Sequence, residues 1–269
     1  MSGPAAAFRA AAGSSGTPGR GGHGERSLYS GRGQARPAVG LDGGAVGTWT
    51  VRAGWAVGAA QRPDGNCADG FAMWCQGSRL FVAVAAADPT ADLAAAVPPA
   101  GLGISQLIDV AHAMPRAPAH VLLAEQQKLF FQHSRSDAGP DGPVAASFAV
   151  GVFVQHLPAH GRGTATLAAA GPHVGAWILG DNGAPANVLA ATRPGLRARD
   201  DLEVLDGDVV CIATSALARP ADGDRFRTLW NETPDEPAFL RFLLGATRGQ
   251  PDSAALVAMW SGHYEVTLP

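Results

Sequence analysis

From Thr48 the chain reads TWTVRAGWAVGAA, with large apolar residues alternating with small or polar ones, a pattern that predicts a half-exposed strand. A polar loop follows, and then FAMWCQGSRLFVAVAAA gives two apolar runs joined through Gln76-Gly77-Ser78, a hairpin signal. The second run lies in LFVAVAAADPT, residues 80–90, an unbroken set of small and β-branched apolar side chains closed by Asp88-Pro89. It is too short for a membrane span and predicts a strand buried on both faces. Residues 88–99 are broken by prolines, after which 104–113 and 119–134 carry Ile, Leu, Val and Phe at helical spacing. Two amphipathic helices are expected there.

Beyond the DAGPDGP loop the pattern returns to period two or to continuous apolar runs at 145–156, 163–170 and 174–179, which read as consecutive antiparallel strands. Residues 202–204 lead into the turn Asp206-Gly207-Asp208 and a buried strand, VVCIAT. Helical stripes at 226–230 and 236–248 precede a last strand, AALVAMW. The order is strands, two helices, strands, one or two helices, strand. It implies an α+β domain of packed antiparallel β-sheets flanked by helices.

Composition divides the chain. Residues 1–46 are mostly Gly, Ala, Ser and Arg, and so few large apolar side chains are expected to leave the segment a disordered tail ahead of a domain over 47–269. Its arginines also suit an organelle transit peptide, and an overcalled start codon is a further reading. The net charge of −3 gives no field for nucleic acid or an anionic membrane, so neither partner is expected. Cys67, Cys75 and Cys211 lack CxxC spacing and predict neither a disulfide framework nor a zinc site. With no secretory signal pattern and no long apolar window, a cytoplasmic location is the expectation.

Several short stretches, in order, resemble the PPM-type metal-dependent phosphatases, the protein phosphatase 2C family, over about residues 48–262. That family opens with an Arg in a loop and then Asn-Glu-Asp; here Arg62 precedes Asn66-Cys67-Ala68-Asp69, so Asp69 matches the acid with one residue inserted. A strand ending in Asp-Gly-His-Gly-Gly comes next in the family, but here the strand continues as Ala86-Ala87-Asp88-Pro89. Gly171-Pro172-His173 ahead of Trp177 stand for the family's Gly-Asp-Ser before an aromatic. Asp206-Gly207-Asp208, VVCIA and Thr214-Ser215-Ala216-Leu217 match a Gly-Asp, strand, Asp-Gly-Leu stretch, with Ser215 in the place of a metal-binding Asp. Asp252, before the last strand, matches the final acid.

The resemblance implies a two-sheet sandwich with a two-metal site at one end. Two bridged hard cations require several carboxylates to offset their charge and to activate a water for attack on a phosphate ester. A methyl group at Ala86 or Ala87 and a hydroxyl at Ser215 cannot replace them. With Asp69 and Asp252, and Asp88 as a displaced ligand, weak or absent binding of Mg²⁺ or Mn²⁺ is implied. Arg62 is the candidate phosphate donor. The leading reading is a pseudophosphatase that binds a protein or phosphoprotein partner. The alternatives are an active divergent Mg²⁺/Mn²⁺-dependent phosphatase recruiting Asp88, Asp64 or Asp181, and an adaptor with no ligand pocket.

Other candidate chemistry is weaker. His156 and His160 have metal-ligand spacing, but Pro158 between them opposes the helix that would align the rings. Ser215 lacks a nucleophile elbow, which excludes a serine hydrolase of that type. Trp55, Trp74, Trp177, Trp230 and Trp260 sit in or beside apolar runs and read as core.

Overall fold

The computed structural model describes residues 27–30, 39–46, 49–56, 69–87, 93–137, 146–156, 162–179, 185–189, 195–205, 208–214, 217 and 254–261. The strands are β1 (Ser27–Ser30), β2 (Val39–Val46), β3 (Trp49–Ala56), β4 (Gly70–Gln76), β5 (Arg79–Ala87), β6 (Ala146–His156), β7 (Arg162–Ala170), β8 (Val174–Leu179), β9 (Pro185–Leu189), β10 (Leu196–Leu205), β11 (Val209–Thr214) and β12 (Ala254–Ser261). Two helices, α1 (Leu93–Ala113) and α2 (Ala119–Asp137), separate β5 from β6.

The strands form two six-stranded sheets, ordered β1-β4-β5-β6-β7-β10 and β2-β3-β12-β11-β8-β9, with antiparallel neighbours throughout. The predicted layered α+β fold is the observed one. After Arg79, β5 is apolar at every position, and its packing explains why. Leu80, Val82, Val84 and Ala86 pack into the core between the sheets, while Phe81, Ala83 and Ala85 pack into a second core beneath α1 and α2. A central strand covered by a sheet on one side and helices on the other has no polar face to show. The β4–β5 hairpin turns at Gly77, whose φ of +61° suits glycine. At that end Arg79 donates to the carbonyls of Pro115 and Ala117, fastening the α1–α2 connection to the sheet.

Two expectations need correction. Part of the stretch assigned to a disordered tail is folded: β1 pairs with β4, and β2 pairs with β3 over eight residues from Val39↔Ala56 to Val46↔Trp49. Their backbone hydrogen bonds to β4 and β3 hold them at sheet edges, a contribution that side-chain composition does not report. Helix α1 also begins earlier than expected, at Leu93, and runs through Pro98 and Pro99. Those prolines cannot donate to the preceding turn, but the alanines ahead of them favour helix. Strand β9 and the first half of β10 were not predicted. β10 reads LRARDDLEVL and is largely exposed at the edge of its sheet, so it lacks an apolar period. The helices expected at 226–230 and 236–248 lie outside the described residues.

Candidate functional site

One end of the sandwich carries Asp69 and Ala86, two of the positions that the sequence singles out. β4 and β5 are in register at Gly70↔Ala85, so one further step sets Asp69 opposite Ala86. Ala86 faces the core between the sheets, and Asp69 precedes Phe71 and Met73 on that face by the period of two. Both are buried, Asp69 at 7% exposure and Ala86 at 2%. Across β5, Ala86 pairs with Ser147 at the start of β6.

Ser147 ties this row to the next turn. Its buried hydroxyl oxygen accepts the His173 backbone N–H at 3.2 Å. Gly171, at φ +88°, lies so close that a Cβ there would run into Ser147 Oγ and Cβ. Arg197, reaching in from β10, donates to the carbonyls of Gly171 at 2.6 Å and Val174 at 3.4 Å. The turn between β7 and β8 is therefore held from two sides.

Val174 pairs with Thr214, the last residue of β11, which carries the same end of the fold into the second sheet. There the Leu217 N–H donates to the Thr214 carbonyl at 2.8 Å, and the Trp177 indole N–H donates to the Leu217 carbonyl at 3.2 Å. β12 begins at this end with Ala254, which pairs with Ala56 at the close of β3.

Of the sequence-predicted positions, the structure brings Asp69 and Ala86 together, with Ala87 the last residue of the same strand. Arg62, Asp64, Asp88, Asp181, Ser215 and Asp252 lie outside the described residues. Their neighbours in sequence, Thr214 for Ser215 and Ala254 for Asp252, are at this end. Asp208 is at the other end of β11, where its carboxylate accepts the Leu205 N–H at 3.0 Å and its own N–H donates to the Leu205 carbonyl. It closes the β10–β11 turn and belongs to no site at the Asp69 end.

Sequence reasoning did not find Ser147 or Arg197. Both act on backbone groups, so neither stands in a motif; the one signal was a glycine directly after the apolar run of β7. The tryptophans at 55, 74 and 177 are buried as expected. The two described cysteines are inert thiols: burial pushes Cys75 up to about 11 and Cys211 well above the ordinary range.

The donor set tests whether divalent cations fit. At this end the described side chains offer the Asp69 carboxylate, the hydroxyls of Ser147 and Thr214, and a methyl group at Ala86. Among the described residues no three of His, Cys, Asp and Glu come together to hold an ion. One carboxylate cannot balance two bridged dications, so these residues do not fit a two-metal cluster. Among the described residues, too, no helix is long and apolar enough to cross a membrane.

No protein-family model matches the chain, and no curated protein sequence does. Its fold is that of the PPM-type phosphatases. PppA, a regulatory component of the T6SS in Pseudomonas aeruginosa, matches with a TM-score of 0.55 at 16% identity, over 81% of this chain and 99% of its own. RsbX in complex with magnesium matches at 0.54 and 12% identity, over 82% and 100%. The catalytic domain of the serine/threonine phosphatase PstP, in complex with two manganese ions, matches at 0.51 and 13% identity, over 80% and 99%.

Proposed function

We propose that this domain is a pseudophosphatase: it binds a protein or phosphoprotein partner at the Asp69 end of the sandwich and does not turn it over. The observation that carries the reading is the methyl group of Ala86, buried opposite Asp69, where phosphate-ester hydrolysis by paired cations calls for a second carboxylate. A site that keeps its turns tethered while losing charge suits recognition, because a preorganised surface loses less freedom on binding. PppA is a regulatory component, which supports a regulatory role for this fold. In this reading Asp69 and Asp252 retain at most one weakly held Mg²⁺ or Mn²⁺, Arg62 contacts a phosphate on the partner, and the protein acts in the cytoplasm.

Isothermal titration of the full chain with Mn²⁺ tests the reading. Binding weaker than about millimolar is expected from so few carboxylates. Two tight sites would return the protein to the active reading, with ligands supplied by Asp88, Asp64 or Asp181.

A further inference from the structure

We infer that the first half of α1 is a segment that opens by itself: residues 93–105 leave the sheet while the rest of α1 and α2 stay docked, and the unpaired amide of Gln126 sets how readily they do so. This opening does not depend on what the Asp69 end binds, so its failure would leave the pseudophosphatase reading untouched.

The sequence of α1 is LAAAVPPAGLGISQLIDVAHA, and its four helix-weakening residues, Pro98, Pro99, Gly101 and Gly103, all fall in the first eleven positions. Each proline removes a bond to the preceding turn, and glycine is the poorest helix former after proline. From Ile104 onward the helix contains neither. Gly103 cannot carry a better helix former, because a Cβ there would overlap the ring of Phe148. Close packing on the sheet therefore imposes part of the weakness.

The polar tethers fall on the other half. Arg79 donates to the carbonyls of Pro115 and Ala117, the Met114 N–H donates to the Val110 carbonyl at 2.9 Å, and the Ala119 N–H donates to the Thr166 hydroxyl oxygen on β7 at 2.9 Å. These bonds fix the end of α1 and the start of α2 to the sheet. Gln106 marks the boundary, its amide nitrogen 3.2 Å from His133 Nδ1 on α2. Ahead of it, no side chain of residues 100–105 makes a hydrogen bond among the described residues.

Gln126 supplies a reason to open. It is fully buried, and among the described residues neither its amide oxygen nor its amide nitrogen has a hydrogen-bond partner. The nitrogen lies 3.1 Å from the point that a Gly103 Cβ would occupy, so the backbone of α1 is what covers it. While the segment is docked the amide lacks both water and a partner, and once residues 93–105 move away water reaches it. The cost therefore falls on the docked state alone. Opening also uncovers Phe148, whose neighbour Ser147 pairs with Ala86 and accepts the His173 N–H. An apolar ring one residue from the candidate site would become accessible.

Hydrogen exchange of the full chain at neutral pH reads the opening as amide protection. Residues 100–105 are expected to be at least about tenfold less protected than residues 107–113. Gln126→Met keeps the side-chain length and removes the cost of the docked state, and should raise the protection of 100–105 by about fivefold or more. Arg79→Met cuts the tether at the other end; it should lower the protection of 107–113 and leave that of 100–105 within about twofold. If Gln126→Met does not fold, Gly101→Ala strengthens the helix without touching the amide and is expected to raise the protection of 100–105 by about fivefold. Equal protection of the two halves, or an equal fall in both with Arg79→Met, would show that α1 opens only as a unit and would overturn the inference. Unchanged protection of 100–105 with Gln126→Met would overturn the part assigned to the amide, and the same result with Gly101→Ala would overturn the local opening.

Discussion

Asp69 and Ala86 flank the register pair Gly70↔Ala85 where β4 begins and β5 ends, and both are buried. An acid beside a methyl group sets the character of this end of the molecule. Among the described residues it supplies one carboxylate, fewer than two bridged divalent cations require. What surrounds the pair is a set of tethered turns, and their integrity can be tested one contact at a time.

Gly171 and Gly77 both have positive φ, but they differ in space. A Cβ at Gly171 would collide with Ser147, whereas nothing lies within 4 Å of one at Gly77. Gly77→Ala is expected to cost about 1 kcal/mol, from backbone strain alone. Gly171→Ala should cost at least about 2 kcal/mol more, because Ser147 is fixed in the sheet and cannot retreat. Urea unfolding of the two variants gives the comparison, and equal midpoints would show that the turn at 171–174 is loosely held.

Residues 27–30 and 39–46 form edge strands, and β2 is hydrogen-bonded to β3 along its whole length. Deleting residues 1–46 should therefore lower the melting temperature by more than about 5 °C, the shift that a few kcal/mol produces in a domain of this size. Calorimetry checks it. A deletion variant that melts with the full chain would mean that these strands contribute nothing to stability.

Gln126, on α2, is fully buried with its amide beside Gly103, and among the described residues neither its amide oxygen nor its amide nitrogen has a hydrogen-bond partner. Replacing it by methionine keeps the length and removes both polar atoms. Gln126→Met is expected to stabilise the domain by about 1–3 kcal/mol, the usual penalty of a buried unsatisfied group. A destabilised variant in chemical denaturation would show that the amide is paired in solution.

The thiols supply a pH test. Burial raises Cys75 from 9.0 to about 11 and also raises Cys211 well above 9.0, so the folded state keeps protons that the unfolded chain loses above pH 9. Stability should hold below pH 9 and fall as the pH rises from there toward 11, because the unfolded state then binds fewer protons. Cys75→Ala should make that decline shallower between pH 9 and 11. The same alkaline slope with and without Cys75 would contradict the assignment.

The parts of the fold that could be read from sequence are those where burial leaves a period. β5 is continuous because two cores need it to be, and β3, β6, β7, β8 and β11 follow the same logic. Strands without such a period escaped it: β1 is short, β2 is glycine-rich, and β10 is a charged edge strand. At the site, Asp69 and Ala86 could be placed because they sit at strand ends inside an ordered set of motifs. Ser147, Arg197 and the Trp177–Leu217 bond could not, since each joins residues at least 26 positions apart through a backbone group. Asp208 lies in a matching stretch and fastens its own turn at the other end of β11.

The central claim is that the buried methyl at Ala86 leaves the site unable to hydrolyse phosphate esters. Its most direct test is hydrolysis of p-nitrophenyl phosphate by the unmodified full chain with saturating Mn²⁺, run beside Asp69→Ala. The account predicts no Mn²⁺-dependent turnover above background in either protein. Robust turnover by the unmodified chain that Asp69→Ala abolishes would contradict it.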